Sequence, residues 1–294
     1  MSLPRLRTFV EVYRQRSMSG AARTLGMTQP AVSQHIAGLE IAIGRPLFER
    51  QVRGVVPTAA ADDLAADIGD SLDEAEQALS AARARSSDIE GAVQIIGHAD
   101  FLSEVLSTRL RPLLDTGVRV RLHAAHRDLI VQMLIEGHCD LGISGYPVTD
   151  PRLRTETIRS EPILAVASPA IADRIEAASD RVAAMSSEPT VAYNFELPLF
   201  TQWLAHNRLH AVNPVPAVVS QDLRALRSIL CSGFGWSVLP AYMCRAAIER
   251  GELRELMPPN GATHLPYYMI WSPAALRHPR ISHARQALVW ALKA

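Results

Sequence analysis

SMSGAARTLGMTQPAVSQHIAGLEIAIGRPLFERQVRGVVPT, residues 17–58, is the stretch of sequence that decides how this chain begins to fold. Gly26 divides it into two short helical patterns, and glycine readily takes the left-handed conformation of a tight turn. Thr28 can cap the second helix, and Pro30 stands in its first turn, where no backbone hydrogen bond is lost. Two short helices joined by a glycine-containing turn predict a helix-turn-helix over about residues 18–37.

The flanking residues complete a small domain. Four apolar residues upstream recur at helical spacing and predict a helix over about residues 3–16: Leu6, Phe9, Val10 and Tyr13. Downstream, residues 46–58 alternate and turn at Gly54, which predicts a β-wing that carries Arg50 and Arg53. Residues 1–58 are therefore predicted to form a winged helix-turn-helix domain. The alternative interpretation is a small helical subdomain with solvated arginines.

The second helix of the motif carries side chains suited to a nucleic acid. In a DNA-binding helix-turn-helix this helix enters the major groove with its N-terminal end first. Gln29, Ser33 and Gln34 lie near that end, opposite the apolar positions. Glutamine and serine can form hydrogen bonds with base edges, so these residues are candidates for sequence recognition.

The net charge hides an uneven distribution. The whole chain is neutral, with 30 basic and 30 acidic residues, and that average argues against a nucleic-acid partner. Residues 1–58, however, carry eight arginines and three glutamates, a charge of +5, whereas residues 59–85 carry a charge of −5. Residues 86–294 hold 20 of each sign. A basic N-terminal segment followed by an acidic helix is a pattern that can serve nucleic-acid binding.

Residues 59–87 are predicted to form a linker. It consists of one long helix over residues 59–85 and a hinge that begins at Ser86. Its apolar residues are spaced as in a coiled-coil seam: Leu64, Ile68, Leu72, Ala75, Leu79 and Ala82. At ~40 Å such a helix is too long for the N-terminal domain to cover. The seam is therefore expected to pair with a second copy of the chain, and the alternative is that it packs on its own C-terminal domain.

Composition and length limit the class of protein. With 294 residues, 48% of them hydrophobic and 20% charged, the chain has the size of two domains and the composition of an ordered globular protein. Residues 1–10 lack the apolar core of a secretory signal, and no stretch approaches the roughly 18 apolar residues of a membrane span. Three cysteines, Cys139, Cys231 and Cys244, form no disulfide framework. We therefore expect a cytoplasmic protein.

Residues 88–294 alternate between strand-like and helical patterns, which predicts an α/β fold of parallel strands flanked by helices. The predicted strands are Val93–Gly97, Val118–His123, Cys139–Ser144, Ile163–Ala167, Thr190–Tyr193, Val215–Val219, Trp236–Leu239 and Tyr267–Trp271. They fall into two series and hence into two lobes, lobe I at about 88–162 and 266–294 and lobe II at about 163–265. Ligands of such sheets bind at the carboxyl ends of the strands.

Residues 17–58 closely resemble the N-terminal winged helix-turn-helix of LysR-type transcriptional regulators. The matching residues are Ala21-Ala22, Leu25, Gln29-Pro30-Ala31-Val32-Ser33, Leu39-Glu40, Gly44, Leu47-Phe48, Arg50 and Pro57-Thr58. The C-terminal region is similar to the effector-binding part of the same family, which is itself similar to periplasmic solute-binding proteins. That likeness is clearest at residues 140–143, 162–166 and 233–240. One departure is Ala60, where the family usually has glycine, and we expect it to lengthen the following helix.

The resemblance implies a DNA-binding transcriptional regulator controlled by a small-molecule co-inducer of unknown identity, bound between the two C-terminal lobes, with no other cofactor. It implies a homodimer through residues 59–85, which in many relatives assembles into a homotetramer, and a two-fold-related site on double-stranded DNA. RNA polymerase would be a further partner. The residues assigned to DNA are Thr28, Gln29, Pro30, Ser33, Gln34 and His35 in the groove, and Arg50 and Arg53 on the backbone. For His35, covering the helix surface is an equal alternative.

The cleft between the lobes is expected to be lined by residues that follow strands: His98, Ala99, Asp100, Ser144, Gly145, Tyr193, Asn194, Phe195, Ser220, Gln221 and Asp222. Many relatives place serine or threonine at the first of these sites to bind a carboxylate. Asp100 and Asp222 stand instead near predicted helix N-termini. They either cap these helices or repel anions and favour a ligand with an amine or many hydroxyls.

Other chemistries find less support in the sequence. No motif of a serine hydrolase, a zinc protease, a phosphate-binding loop or a dinucleotide site occurs, so an enzyme is not expected. His206 and His210, at i and i+4 on a predicted helix, lack a third metal ligand. A redox sensor that uses the three cysteines is one alternative. A solute-binding or transport module is another, and the helix-turn-helix and the missing signal peptide argue against it.

Overall fold

The computed structural model describes residues 3–51, 54–84 and 91–293, apart from the side chains of residues 50, 77–84 and 91. The N-terminal domain contains helices α1 (Leu3–Gln15), α2 (Met18–Leu25) and α3 (Gln29–Ile43). An antiparallel hairpin of β1 (Phe48–Gln51) and β2 (Gly54–Pro57) follows, and then the long helix α4 (Ala59–Ala84). The predicted winged helix-turn-helix is confirmed.

Short-range hydrogen bonds fix the turn between α2 and α3. Ser17 caps α2 because its side chain accepts a hydrogen bond from the Gly20 amide, at 3.0 Å. Gly26 ends the helix with a φ of 63°, a conformation that would strain a residue with a β-carbon. The Met27 amide then donates to the Ala22 carbonyl at 2.9 Å. The angle between the two helices is thus set by residues that the sequence pattern had already marked.

The core of the N-terminal domain joins the helices to the wing. Its fully buried apolar side chains include Phe9, Val12, Val32, Leu39 and Leu47. The ring of Phe9 lies 5.6 Å from the ring of Phe48 in β1. Glu40 of α3 accepts hydrogen bonds from the amides of Leu47 (2.8 Å) and Phe48 (3.2 Å). These contacts hold the wing at a fixed position relative to α3.

Helix α4 packs against its own chain along the first half of the predicted seam. Ala61 and Leu72 are buried in the N-terminal core, and Leu64 and Ile68 are partly buried against it. The helix also contacts α13 (Pro279–Lys293) of the C-terminal domain. The first half of the seam is therefore covered by the N-terminal domain of its own chain, which neither the predicted pairing with a second copy nor the alternative of packing on the C-terminal domain had assigned. The side chains of its last residues, Leu79 and Ala82, lie outside those that the structure describes, as does the predicted hinge.

The C-terminal domain alternates strands and helices. The strands are β3 (Gly91–Gly97), β4 (Val118–Ala124), β5 (Leu141–Ser144), β6 (Arg154–Ala167), β7 (Thr190–Ala192), β8 (Pro216–Val219), β9 (Trp236–Pro240), β10 (Arg254–Glu255) and β11 (Thr263–Trp271). The helices are α5 (Ala99–Phe101), α6 (Arg111–Leu114), α7 (Arg127–Ile135), α8 (Pro169–Ala177), α9 (Arg181–Ser187), α10 (Pro198–His206), α11 (Leu223–Cys231), α12 (Ala241–Glu249) and α13. A π-helical turn (Leu102–Leu106) and 3₁₀ turns (Ser107–Arg109 and Ala275–Arg277) complete the list. Among the helices of the described ranges, none is long and apolar enough to cross a membrane.

The strands form one mixed sheet in the order β4-β3-β5-β11-β6-β9-β7-β8, with β10 paired to β6. β3 is parallel to β4 and β5, whereas β11 is antiparallel to both β5 and β6. The prediction of purely parallel strands is therefore wrong. The reason is that the chain crosses into the second lobe on β6 and returns on β11, so these two neighbours must run in opposite directions.

Two apolar cores lie on either side of this crossing. One contains Phe101, Leu141, Ile158 and residues of α13, and the other contains Ile163, Trp203 and Trp236. β6 contributes Ile158 to the first core and Ile163 to the second, so one continuous strand serves both. The strand that returns beside it, β11, contributes Leu265 and Tyr267 to the wall of the space between the lobes.

Candidate nucleic-acid interface and ligand cleft

The N-terminal end of α3 presents a polar surface. Thr28, Gln29, Pro30 and Gln34 are exposed, and Ser33 is half-buried. Thr28 also caps the helix, since its hydroxyl oxygen accepts a hydrogen bond from the Ala31 amide at 3.4 Å. The cap and the proline in the first turn hold the helix end in one conformation. The side chains of Gln29 and Gln34 are thereby offered to a partner from a rigid element.

His35 differs from its neighbours because it has a partner inside the domain. Its Nδ1 atom lies 2.8 Å from the Thr8 hydroxyl of α1, and that hydroxyl donates to the Pro4 carbonyl at 2.9 Å. Because the single hydroxyl proton is used there, the histidine nitrogen is the donor in the other bond. The side chain therefore ties α1 to α3, which is a packing role within the domain.

The basic residues of the N-terminal domain fall into two groups. Arg7 and Arg14 form ion pairs with Glu76 and Asp73 of α4, and both arginines are largely buried. The positive charge of these two side chains is therefore balanced by the acidic linker helix. Arg23 and Arg45 are exposed, whereas Arg50 is described only by its backbone in β1 and Arg53 lies outside the described residues.

Four of the residues predicted for the effector cleft line one cavity between the lobes: His98, Asp100, Gly145 and Tyr193. The rest of its wall comes from Tyr146, Leu199, Leu223, Pro240, Leu265 and Tyr267. The cavity volume is about 30 Å³, close to the share of one water molecule in the liquid. The cavity thus has room for one small polar group, and it is partly open to solvent.

The other predicted residues lie around this cavity rather than in its wall. Ser144 is buried, and its hydroxyl accepts a hydrogen bond from the Tyr146 amide at 3.0 Å. Asp222 caps α11, because its carboxylate accepts from the Arg224 amide at 2.9 Å and also pairs with the Arg224 guanidinium. Phe195 is 80% exposed. The remaining residues that the cavity does not include are Ala99, Asn194, Ser220 and Gln221.

Asp100 ends a chain of hydrogen bonds. The carboxylate is 5% exposed and accepts from the Tyr242 hydroxyl at 2.5 Å. The Tyr242 and Tyr267 hydroxyls are 2.8 Å apart, so the Tyr267 proton is free to point at Tyr242. Burial raises the pKa of both tyrosines, and the Asp100 charge raises each further. Both therefore stay protonated and donate towards Asp100, which makes no side-chain cap to α5 in the described residues.

His98 is buried next to this chain without a hydrogen bond to its Nε2 atom among the described residues. Its ring is packed edge-on between Tyr146 and Tyr193, with centroids 6.1 Å and 6.4 Å away. Burial lowers the pKa of His98; Asp100 opposes this shift and His126 adds to it. Burial likewise raises the pKa of Tyr193 to about 12. At neutral pH the histidine ring is thus neutral and both tyrosines are protonated.

Sequence reasoning predicted Tyr193 but missed the other aromatic side chains of this site, Tyr146, Tyr242 and Tyr267. Tyr146 directly follows Gly145, so extending the predicted loop by one residue would have included it. Tyr242 and Tyr267 come from α12 and β11, far along the chain, and only the crossing of β11 between the lobes brings them to Asp100. No local pattern marks them.

The structure also describes the residues of the two other candidate chemistries, metal binding by a histidine pair and redox sensing by cysteines. α10 ends at His206, so His210 does not lie on the same helix, and no cluster of metal-ligating side chains occurs within the described ranges. Cys139 and Cys244 are buried and Cys231 is partly buried. Burial raises the pKa of all three thiols, that of Cys244 to about 12. A raised pKa disfavours the thiolate that redox sensing needs.

Two family models match the chain. The model for the bacterial regulatory helix-turn-helix protein of the lysR family matches residues 3–62, and the model for the LysR substrate binding domain matches residues 88–292. Among curated relatives, the HTH-type transcriptional regulator AbaB from Streptomyces antibioticus is 32% identical over 98% of this chain and 97% of its own length.

Solved structures agree with this assignment at the level of the fold. CrgA, a LysR-type transcriptional regulator from Neisseria meningitidis, matches with a TM-score of 0.61 at 19% identity and covers 100% of both chains. Vibrio fischeri DarR, solved in complex with DNA, matches with a TM-score of 0.54 at 17% identity and covers 98% of each chain. This protein therefore belongs to the LysR family of transcriptional regulators, with a DNA-binding helix-turn-helix domain and an effector-binding domain.

Proposed function

We propose that this regulator recognises a two-fold-related operator through α3 and responds to a small molecule bound between its two C-terminal lobes. The observation that carries the proposal is the capped N-terminal end of α3, where Gln29 and Gln34 project into solvent from a rigid helix. Arg23 and Arg45 lie exposed on the same domain and supply charge for phosphates. The role of the protein in this proposal is regulatory rather than catalytic.

The proposed assembly is a homodimer, able to form a tetramer, that pairs through the later part of α4. The first half of the helix is already covered by its own chain, and Ala75 is exposed. We therefore assign the contact with a second copy to the later positions of the seam in the sequence, Ala75, Leu79 and Ala82. Pairing would set two copies of α3 at a fixed separation on DNA. Sedimentation velocity is the test, and a monomer at micromolar concentration would contradict the proposal.

Control by a ligand requires two arrangements of the lobes. A ligand can shift the balance only if it binds one arrangement more tightly than the other. The cavity of about 30 Å³ and the two crossing strands are compatible with one such arrangement. Its opening would change how the two DNA-binding domains are held and, through them, the recruitment of RNA polymerase.

The sequence preference of α3 is tested with a duplex selected from random sequences by the wild-type protein. We expect Gln34→Ala to weaken binding to this duplex by about 1–3 kcal/mol and to leave binding to unrelated DNA unchanged. Gln132→Ala, at an exposed glutamine of the C-terminal domain, is the matched control. Equal binding of the selected duplex by both variants would contradict the assignment of α3.

The backbone contact is tested separately through Arg50. We expect Arg50→Ala to weaken binding to every duplex and to reduce the slope of log affinity against log salt by roughly one. Gel-shift titrations at several salt concentrations measure both quantities. An unchanged slope would remove Arg50 from the interface.

A further inference from the structure

The cleft contains a buried negative charge without a positive partner in its wall. Asp100 is 5% exposed, and none of the described residues that line the cavity is arginine or lysine. Asp100 does accept a hydrogen bond from Tyr242, but that tyrosine is neutral. A buried carboxylate is costly unless a cation or several hydrogen bonds compensate its charge. The cavity is therefore complementary to a positive group.

The aromatic wall adds to this complementarity. Tyr146, Tyr193 and Tyr267 line the cavity around Asp100, and the faces of aromatic rings attract cations. Tyr146 already shows this property, because the Arg127 guanidinium lies 5.5 Å from its ring centroid. A carboxylate ligand would find the opposite, since both the rings and Asp100 repel negative charge.

His98 provides a second, independent sign that a ligand is expected here. Its Nε2 atom is buried in the wall of the cavity with no hydrogen-bond partner among the described residues. The lowered pKa of His98 keeps the ring neutral, so it adds no positive charge and can offer a nitrogen lone pair. An unpartnered nitrogen of this kind costs free energy unless a ligand supplies the missing hydrogen bond.

We propose that the effector carries a primary ammonium group, which binds in the cavity between the Asp100 carboxylate and the His98 Nε2 atom and against the rings of Tyr146 and Tyr193. An ammonium group has three donors and no acceptor, so it can donate to the Asp100 carboxylate and to an acceptor nitrogen of His98, both residues of one cavity wall. The volume of about 30 Å³ accommodates this group, and the rest of the effector extends towards the open side of the cavity. This inference rests on the function proposed above and specifies the ligand class of its cleft.

The test is calorimetry of the full-length protein with probes matched in length and different in charge. n-Butylammonium and 1,4-butanediammonium are compared with butyrate and succinate. We expect an ammonium probe to bind the wild type and to lose roughly tenfold or more in affinity with Asp100→Asn, because this variant keeps the shape and removes the charge of the buried acceptor. Glu252→Gln removes an exposed carboxylate outside the cavity wall and should bind the probes as the wild type does.

Three outcomes would overturn the proposal: no binding of either ammonium probe up to millimolar concentration, tighter binding of a carboxylate probe, or equal ammonium affinity in Asp100→Asn and the wild type. Thermal unfolding of each variant shows whether it is folded. If Asp100→Asn does not fold, His98→Gln takes its place and should also weaken ammonium binding. Gel shifts on the same preparations separate the two proposals. Intact DNA binding with a negative calorimetric result overturns only the ligand class, whereas loss of DNA binding by the wild type would overturn the proposed function.

Discussion

Glu161 shows how much one side chain contributes to the junction of the lobes. It lies on β6, is fully buried, and accepts hydrogen bonds from the Arg159 guanidinium at 2.5 Å and from the Tyr242 amide at 3.0 Å. The second bond fixes the first turn of α12, and hence the ring of Tyr242 that reaches Asp100. A carboxylate can stay buried here because both of its oxygens have partners.

Removal of this carboxylate should therefore destabilise the C-terminal domain. We expect Glu161→Ala to cost about 3 kcal/mol, since it leaves a largely buried arginine and a backbone amide without partners. Urea unfolding monitored by tryptophan fluorescence measures the loss. Glu252→Ala, which removes an exposed partner of Arg250, is the control and should change little. Similar values for the two variants would show that the buried pair adds nothing.

His98 should make stability depend on pH. Burial holds its pKa in the folded state below the ordinary value of 6.5. As the pH falls below 6.5, the unfolded chain binds this proton first, so the stability contributed by the neutral ring is present above that pH and is lost below it. We expect the thermal midpoint of the wild type to fall more than that of His98→Gln between about pH 7.5 and about pH 5.5.

The exposed His138 supplies the control for this experiment. His138→Gln replaces an exposed ring instead of the buried one, so a change of pH dependence confined to His98→Gln would assign the effect to the burial of His98. If His98→Gln had the same pH dependence as the wild type, the burial of this ring would not contribute to the pH dependence of stability.

The start of strand β9 depends on a glycine. Gly235 precedes it with a φ of +67°, and a β-carbon there would meet the Pro189 carbonyl oxygen well inside van der Waals contact. That carbonyl accepts the hydrogen bond of the Trp236 amide at 3.0 Å, so the close approach is part of how the strand begins. Gly233 also has a positive φ, of +92°, but has open space around it.

Gly233 and Gly235 can therefore be compared directly, because both have a positive φ and only Gly235 lies close to another backbone atom. We expect Gly233→Ala to cost about 1 kcal/mol from backbone strain alone. Gly235→Ala should cost at least twice as much, because Pro189 and the start of β9 must move as well. Thermal unfolding midpoints of the two variants measure the difference, and equal midpoints would refute the steric argument.

Element by element, the sequence predicted what depends on local spacing and failed where distant partners decide. The helix-turn-helix followed from Gly26, Thr28 and Pro30, whose roles are local. The first half of β6 was missed because nearly all of its residues are charged or polar, a composition typical of a loop. Its Glu156 pairs with Arg285 and Lys293 of α13, and such partners are not visible in a single sequence. The same holds for the cleft, where Asp100 was predicted and its tyrosine partners were not.

On the scale of the whole molecule, ion pairs join the DNA-binding domain and helix α4 to the C-terminal domain. Arg154 at the start of β6 contacts Asp70 at 2.8 Å and Asp73 at 3.1 Å, both on α4. Arg277 lies 3.8 Å from Glu11 of α1 and 3.7 Å from Glu76 of α4. The acidic linker helix therefore binds arginines on both sides, those of its own DNA-binding domain and those of the effector domain.

This arrangement predicts that α4 is held partly by charge. We expect Arg154→Ala to increase amide hydrogen exchange over residues 59–76 by several-fold, because partly exposed pairs contribute up to about 1 kcal/mol. Added salt should have the same effect on the wild type. Arg250→Ala, which breaks an ion pair elsewhere in the effector domain, is the control. If exchange in α4 were the same in both variants, the ion pairs of Arg154 would not contribute to holding the helix.

The two strands that cross between the lobes also have a mechanical consequence. β11 lines the cavity near Leu265 and Tyr267. Its far end at Trp271 pairs with Arg154, which forms an ion pair with Asp70 of α4. The two strands are paired along this whole distance, with one shift in register after Tyr267. Leu265 and Trp271 lie roughly 20 Å apart along β11. We therefore expect a rotation of the strands by a few degrees at the cavity to displace their far end by more than an ångström, and with it the contact between Arg154 and α4.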